Sequence, residues 1–521
     1  MKVGAGKVTV GCRWLLTLAI LWLGCAGAPA CLSAGTRPAT EKGAQGPAAK
    51  PLPLRRVKPE AYAAFAKAVL LETRARRFVL QAQQLRFSDR DLADEKRRQA
   101  AELWVQAREA FQQAVDRDPE GVAAVRELAF ALVARGDAEE AIPYLERTLQ
   151  LTPDDFEACL TLALLYERAE RFAEARGAYR QVIEQVPANQ AVGILPELYV
   201  HLAMVTERTD GLAGGLAVFV EALTACPDAA AVRAAMEQAI ERTRTGEGAG
   251  GKLEKAVPAK GRGFAYSYVL GRIAFVHQDW GRAATELERS SAAKADFWPA
   301  YLYRCLALSE GGRVGEALAV LAEAPRRQME PGTADFLQGS ILLRGRRYQE
   351  ARQALEQAVQ AAPANIFARY ELAGTYEKLG MLDEAIQMLK VNLGLKPDHA
   401  DSLNALGYFL ALKNAELGEA EKLVRSALEQ EPDNGAYLDS LGWVLFKEGK
   451  VDEALAMLTK AAAKLADPVV YDHLGDVCRQ RGDVEEAVRW WERALKLDAG
   501  ATEVREKLKA VRPQDPSPAG E

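Results

Sequence analysis

A recurrence at about 34-residue steps constrains this chain more than any other feature. On residues 370–397 a large–small–aromatic pattern, Leu372, Ala373 and Tyr376, is followed by Gly380, Ala385, Leu389 and Pro397. The same spacing returns as Leu128, Gly136, Ala141, Leu145 and Pro153, then as Leu162, Ala163, Tyr166, Ala175, Tyr179 and Pro187. A weaker copy carries Tyr199, Leu202, Phe219, Ala222 and Pro227. Leu270, Gly271, Ala283 and Leu287 open a second series, continued by Tyr301, Leu308, Gly312, Ala317 and Leu321, and by Gly339, Leu342, Ala351, Leu355 and Pro363. Beyond Pro397 come Leu406, Gly407, Ala420, Ala427 and Pro432 (with one inserted residue), then Leu441, Gly442, Gly449, Ala454 and Leu458, and finally Leu474, Gly475, Gly482, Ala487 and Trp491. The first unit is elongated, with a long helix from about Glu60 and then Ala107, Phe111, Ala114 and Pro119.

Each unit reads as two helices. Small residues such as Gly442 and Ala454 let the pair approach closely, and large ones such as Tyr376 and Leu389 fill the space between pairs. The glycines between the helices adopt positive φ easily, and the prolines stop the second helix. One such hairpin cannot bury its own apolar side, so units must stack. The abundance of Ala, Leu, Glu and Arg agrees with an all-α chain.

These words and their spacing resemble the tetratricopeptide repeat family over most of the chain. The resemblance implies a right-handed superhelical solenoid of about eleven helical hairpins that binds other proteins or peptides. The stretch 404–446 is similar to envelope lipoproteins of bacteria built from these repeats, one group of which acts as an adaptor for a periplasmic carboxyl-terminal processing protease. In the family the first helix of each hairpin lines the concave groove through its positions 2, 5, 9 and 12. Carried onto this sequence, those positions give Phe367, Tyr370 and Glu377, then Asp401, Asn404 and Tyr408, then Asp439, Trp443 and Phe446, and last Asp472, Asp476 and Arg479. Aromatic residues interleaved with acids would suit a guest segment carrying Lys or Arg; helical spacing alone also produces such stripes by packing. The Lys and Asn pattern of a chaperone-binding carboxylate clamp is absent.

The N-terminus reads as an address. Lys2, Lys7 and Arg13 precede an apolar run at 14–23, too short for an ordinary membrane span of about 20 residues. Two processing readings stand: cleavage after Ala28-Pro29-Ala30, or a lipobox at 21–25 that would acylate Cys25. The expected organisation is a signal at 1–30, a flexible Pro/Ala/Gly-rich linker at 31–58, a first array at 59–243, a Gly-rich hinge at 244–263, a second array at 264–499, a capping helix at 500–511 and a disordered tail at 512–521. The expected location is the periplasm or the membrane-anchored face of a bacterial envelope. Any membrane contact is expected only through the lipid anchor, and the oligomeric state stays open.

Formal net charge is −5, and the signal carries three cations and no acid, so the body is more acidic still. That argues against a nucleic-acid binder, which needs a basic face to displace counterions. Four histidines, His201, His277, His399 and His473, stand singly, and no HExxH, GxSxG or Cys/His cluster occurs. Paired acids such as Glu139-Glu140 and Glu485-Glu486 precede second helices, where they favour the helix dipole. The run from Gly246 to Lys252 has phosphate-loop spacing, but Leu253 replaces the Mg²⁺-ligating hydroxyl and no strand precedes it. Cys159, Cys305 and Cys478 fall on apolar helix faces and are expected buried and unpaired. The reading is therefore a scaffold or adaptor that is not an enzyme, with no cofactor and no metal site. The alternative is a structural or self-associating component of a pilus, secretion or polysaccharide-export assembly.

Overall fold

A computed structural model describes residues 58–511, apart from 86–87, 187–190, 246–247 and 327–328. The expected signal at 1–30, the expected linker up to residue 57, Cys25 and the expected tail at 512–521 lie outside the described residues.

Every long element among the described residues is an α-helix. The extended first hairpin pairs α1 (Pro59–Leu85) with α2 (Arg90–Arg117). Then follow α3 (Val122–Arg135) with α4 (Ala138–Leu151) and α5 (Phe156–Arg168) with α6 (Phe172–Gln185). The fourth hairpin, α7 (Ala191–Ala225), is two helical stretches that meet at Gly211, where the backbone leaves the helix with φ of +76°. After α8 (Ala230–Glu241) and the short α9 (Ala249–Ala256), regular pairs resume: α10 (Phe264–Val276) and α11 (Trp280–Ala293), α12 (Trp298–Glu310) and α13 (Val314–Glu323), α14 (Thr333–Arg344) and α15 (Tyr348–Ala361). The last four are α16 (Ile366–Lys378) and α17 (Leu382–Leu395), α18 (Ala400–Leu412) and α19 (Leu417–Gln430), α20 (Gly435–Lys447) and α21 (Val451–Lys464), and α22 (Pro468–Arg481) and α23 (Val484–Leu497), closed by α24 (Thr502–Val511). Helices pack on their neighbours in sequence, which makes the stack a solenoid.

Nine of the eleven hairpins share one solution for the turn between their helices. Gly136, Glu170, Gln278, Gly312, Arg346, Gly380, Asn414, Gly449 and Gly482 all have positive φ, between 53° and 96°. The next residue's N–H reaches back to the first helix: Asp137 to Leu132 O at 3.1 Å, Met381 to Tyr376 O at 2.8 Å, Lys450 to Leu445 O at 2.9 Å. This satisfies carbonyls that the helix end would leave orphaned.

Close approach then locks each pair. A β-carbon at Gly442 would lie 2.6 Å from Leu458 Cγ, and one at Gly339 2.5 Å from Leu355 Cγ. At Gly475 it would collide with the indole of Trp491, which is fully buried. In the first hairpin alanines serve instead: Ala64, Ala68, Ala75 and Ala82 on α1 and Ala93, Ala100, Ala107 and Ala114 on α2 are all buried. At the far end Val504 and Leu508 of α24 pack against Trp491 and Ala494.

The segment 244–263 differs from the expected hinge. It contains α9, whose Leu253 is wholly buried, and Val257 just beyond is buried too. α9 packs on α7 and α10, so the two arrays share one apolar core here. Glycine content suggested a loop; two apolar residues four apart were enough to fold it against its neighbours.

Candidate partner-binding face

First helices touch the first helices of the next hairpin: α10 with α12, α12 with α14, α14 with α16, α18 with α20, and α20 with α22. They therefore lie side by side along much of the stack, and residues one repeat apart on them can bond. A row of polar rungs results. His201 Nδ1 lies 2.9 Å from Glu167 Oε2. Arg272 Nε donates to Glu237 at 3.0 Å, with its guanidinium 3.5 Å over the Tyr303 ring. The Tyr437 hydroxyl donates to Asp401 at 2.6 Å, and His473 Nδ1 lies 3.0 Å from Asp439 Oδ1. Lys507 of α24 bonds Asp472 at 2.8 Å and Asp476 at 2.7 Å.

These rungs alter the expected groove chemistry. Asp401, Asp439, Asp472 and Asp476 already have partners inside the chain, so they do not call for a guest bearing Lys or Arg. Burial pushes the Asp472 carboxyl up despite Lys507. Burial also works against the charge on Lys507, but its bonds to both acids outweigh this and raise it.

Of the twelve residues expected in the groove, two are core. Trp443 is 8% exposed, stacks on His473 at 4.0 Å between ring centres, and carries Lys447 at 4.6 Å. Asp439 is buried beside it. Tyr408 is half-buried, with its ring 6.1 Å from His473, and burial pushes its phenol well up. The others are more open. Phe367 is 62% exposed, and its ring and that of Tyr370 both stand edge-on to His399 at 6.1 Å. Phe446 is half-buried, 5.2 Å from Trp443, and Arg479 is exposed. Asn404 is half-buried, and its Oδ1 has no hydrogen-bond partner among the described residues.

The histidines were expected to stand alone. Instead His473 and His201 each meet a carboxylate, and buried His399 caps α18, its Nδ1 2.8 Å from the Ser402 hydroxyl. The signal was present: Asp439 and His473, like Glu167 and His201, are 34 residues apart. Cys159, Cys305 and Cys478 are buried, Cys226 half-buried, and all four are free; burial pushes the Cys305 thiol up to about 12.

Three models described as tetratricopeptide repeat match residues 132–195 and 342–407, residues 96–156, 306–366 and 410–468, and residues 468–501. Together they cover more than half of the chain. The chain belongs to the tetratricopeptide repeat (TPR) family. TPR proteins generally mediate protein–protein interaction and are typically non-catalytic. A TPR repeat-containing protein of Pseudomonas aeruginosa is 32% identical over 213 residues, 41% of this chain and 36% of that protein. Anaphase-promoting complex subunit 7 of Dictyostelium discoideum is 27% identical, over 32% of this chain and 28% of its own length. The chain thus spans about a third of the curated relatives it matches. Among solved structures, a tetratricopeptide repeat protein from Parabacteroides merdae aligns with TM-score 0.41 at 15% identity, over 48% of this chain and 98% of its own. The hetero-tetramer Cut9-Hcn1 aligns with TM-score 0.39 at 13% identity, over 86% of this chain and 92% of that one.

Proposed function

We propose that this TPR chain is a non-catalytic adaptor of the bacterial cell envelope, holding partner polypeptides along the first-helix face of its C-terminal hairpins. Phe367 carries the reading. A phenylalanine left 62% in water, beside Tyr370 and upstream of the unpaired amide oxygen of Asn404, offers a guest an apolar anchor and a group that can bond its backbone. Phe446 and Arg479 extend the face toward the C-terminal end, whereas Trp443, Asp439 and Tyr408 hold it together. The envelope assignment rests on the export signal, with Cys25 as the acylation site if the lipobox is used.

Co-purification of the full chain from solubilised envelopes tests the face. Phe367→Ala should lose partners without lowering the melting temperature, because the ring is mostly exposed. Trp443→Ala is the structural control and should destabilise by about 3–5 kcal/mol. An unchanged partner set in the Phe367→Ala variant removes the assignment. For location, fatty-acid-analogue labelling that disappears in Cys25→Ala supports the anchor, and labelling unaffected by it rejects Cys25.

A further inference from the structure

We propose that the outward face of α1 is a docking surface for an anionic lipid bilayer. This goes beyond the groove and holds whether or not Cys25 is acylated.

The side of α1 that meets α2 is the buried alanine stripe Ala61, Ala64, Ala68, Ala75 and Ala82. At 100° per residue, Tyr62, Val69, Leu70 and Leu80 fall on the other side. They are correspondingly bare: Tyr62 is 63% exposed, Leu70 71% and Leu80 55%. Lys67, Arg74 and Arg77 share this exposed side. The helix has only two acids. Glu60 lies in the first turn, and Glu72 is turned in toward Arg76, which it meets at 2.7 Å, with a side chain only 12% exposed. Protruding apolar tips flanked by cations and almost free of carboxylates are the chemistry of a helix lying in a lipid interface. The chain as a whole is acidic, so this is a local property and not a consequence of net charge.

The opposite end of the stack sharpens the contrast. α24 turns Val504 and Leu508 inward and shows Glu503, Arg505, Glu506 and Lys509 to solvent, a mixed surface that suits water. Of these two ends among the described residues, it is the hairpin nearer in sequence to the apolar run at 14–23 that presents the lipid-like face. A bilayer-held α1 would orient the stack, with its C-terminal hairpins directed away from the head groups.

The test is flotation of the full chain with phosphatidylcholine vesicles, with and without phosphatidylglycerol, at low and high salt. Binding should require phosphatidylglycerol and weaken with salt. Lys67→Glu with Arg77→Glu should lower partitioning at least about tenfold, given roughly fivefold per basic residue. Leu70→Asp with Leu80→Asp should do so independently. All four side chains are exposed, so unaltered circular-dichroism melting confirms that both variants fold. Equal binding by wild type and both variants would assign membrane affinity to residues upstream of α1 and overturn the proposal. So would loss of a protein partner in these variants with vesicle binding intact.

Discussion

Alanine at Gly442 should loosen the hairpin α20–α21, whereas alanine at Gly374 should tighten its own. Both glycines sit inside first helices, where alanine is favoured by about 1 kcal/mol. At Gly374 a β-carbon meets nothing within 4 Å, so the full gain is available. At Gly442 the same atom would lie 2.6 Å from Leu458 Cγ, 2.9 Å from Cδ2 and 3.2 Å from the Leu458 backbone nitrogen. Leu458 is fully buried, so its side chain has nowhere to swing, and the backbone contact forces the helices apart. Overpacking of this kind costs about 1–3 kcal/mol, leaving Gly442→Ala between neutral and about 2 kcal/mol destabilised after the propensity gain. The two variants should therefore differ by roughly 1–3 kcal/mol. Urea titration followed by far-ultraviolet circular dichroism reads the ordering, and hydrogen exchange over 435–464 locates it, since repeat arrays need not unfold in one step. Adding Leu458→Ala should cost less in the Gly442→Ala background than in wild type. If Gly442→Ala stabilises as much as Gly374→Ala, the reasoning about close approach is wrong.

Arg346→Gly and Gln278→Gly should each stabilise by about 1 kcal/mol by relieving positive φ at a non-glycine, and Gly380→Ala should lose a similar amount; thermal melts decide this. Burial raises the Glu167 carboxyl, but bonds to His201 and Tyr179 overcome it and hold it below its ordinary value. Its contribution is therefore complete above the usual carboxylate range and is lost as pH falls through the depressed value. The melting difference between wild type and Glu167→Gln should shrink on acidification below about pH 4. Lys507→Met should cost about 1–2 kcal/mol by leaving Asp472 and Asp476 facing each other, with faster amide exchange in α24 as its sign.

The hairpins were legible because their determinants are local. The spacing of Gly380, Ala385 and Leu389 sets a turn, a close approach and a filled gap within twenty residues. Helix α9 was hidden by its glycines, since the apolar contacts that fold it come from α7 and α10. The candidate face was half legible. Helical position brings Phe367 and Trp443 to the same layer, but exposure separates them. Trp443 is covered because the next hairpin supplies His473, a contact visible only when successive repeats are laid in register. The acids of the face were misjudged for the same reason: Tyr437, His473 and Lys507 each arrive from one repeat further on.

The positive-φ residues mark the chain like a ruler. From Gln278 through Gly312, Arg346 and Gly380 to Asn414 the intervals are 34 residues; then Gly449 follows after 35 and Gly482 after 33. The additional residue falls between Asn414 and α19, where Glu416 adopts a second left-handed conformation. Within a helix it would have turned every later side chain by 100°, exposing Val424 and Ala427. Changes in unit length are thus absorbed in the connectors, and a deletion or tag placed there should leave the rungs on either side in step.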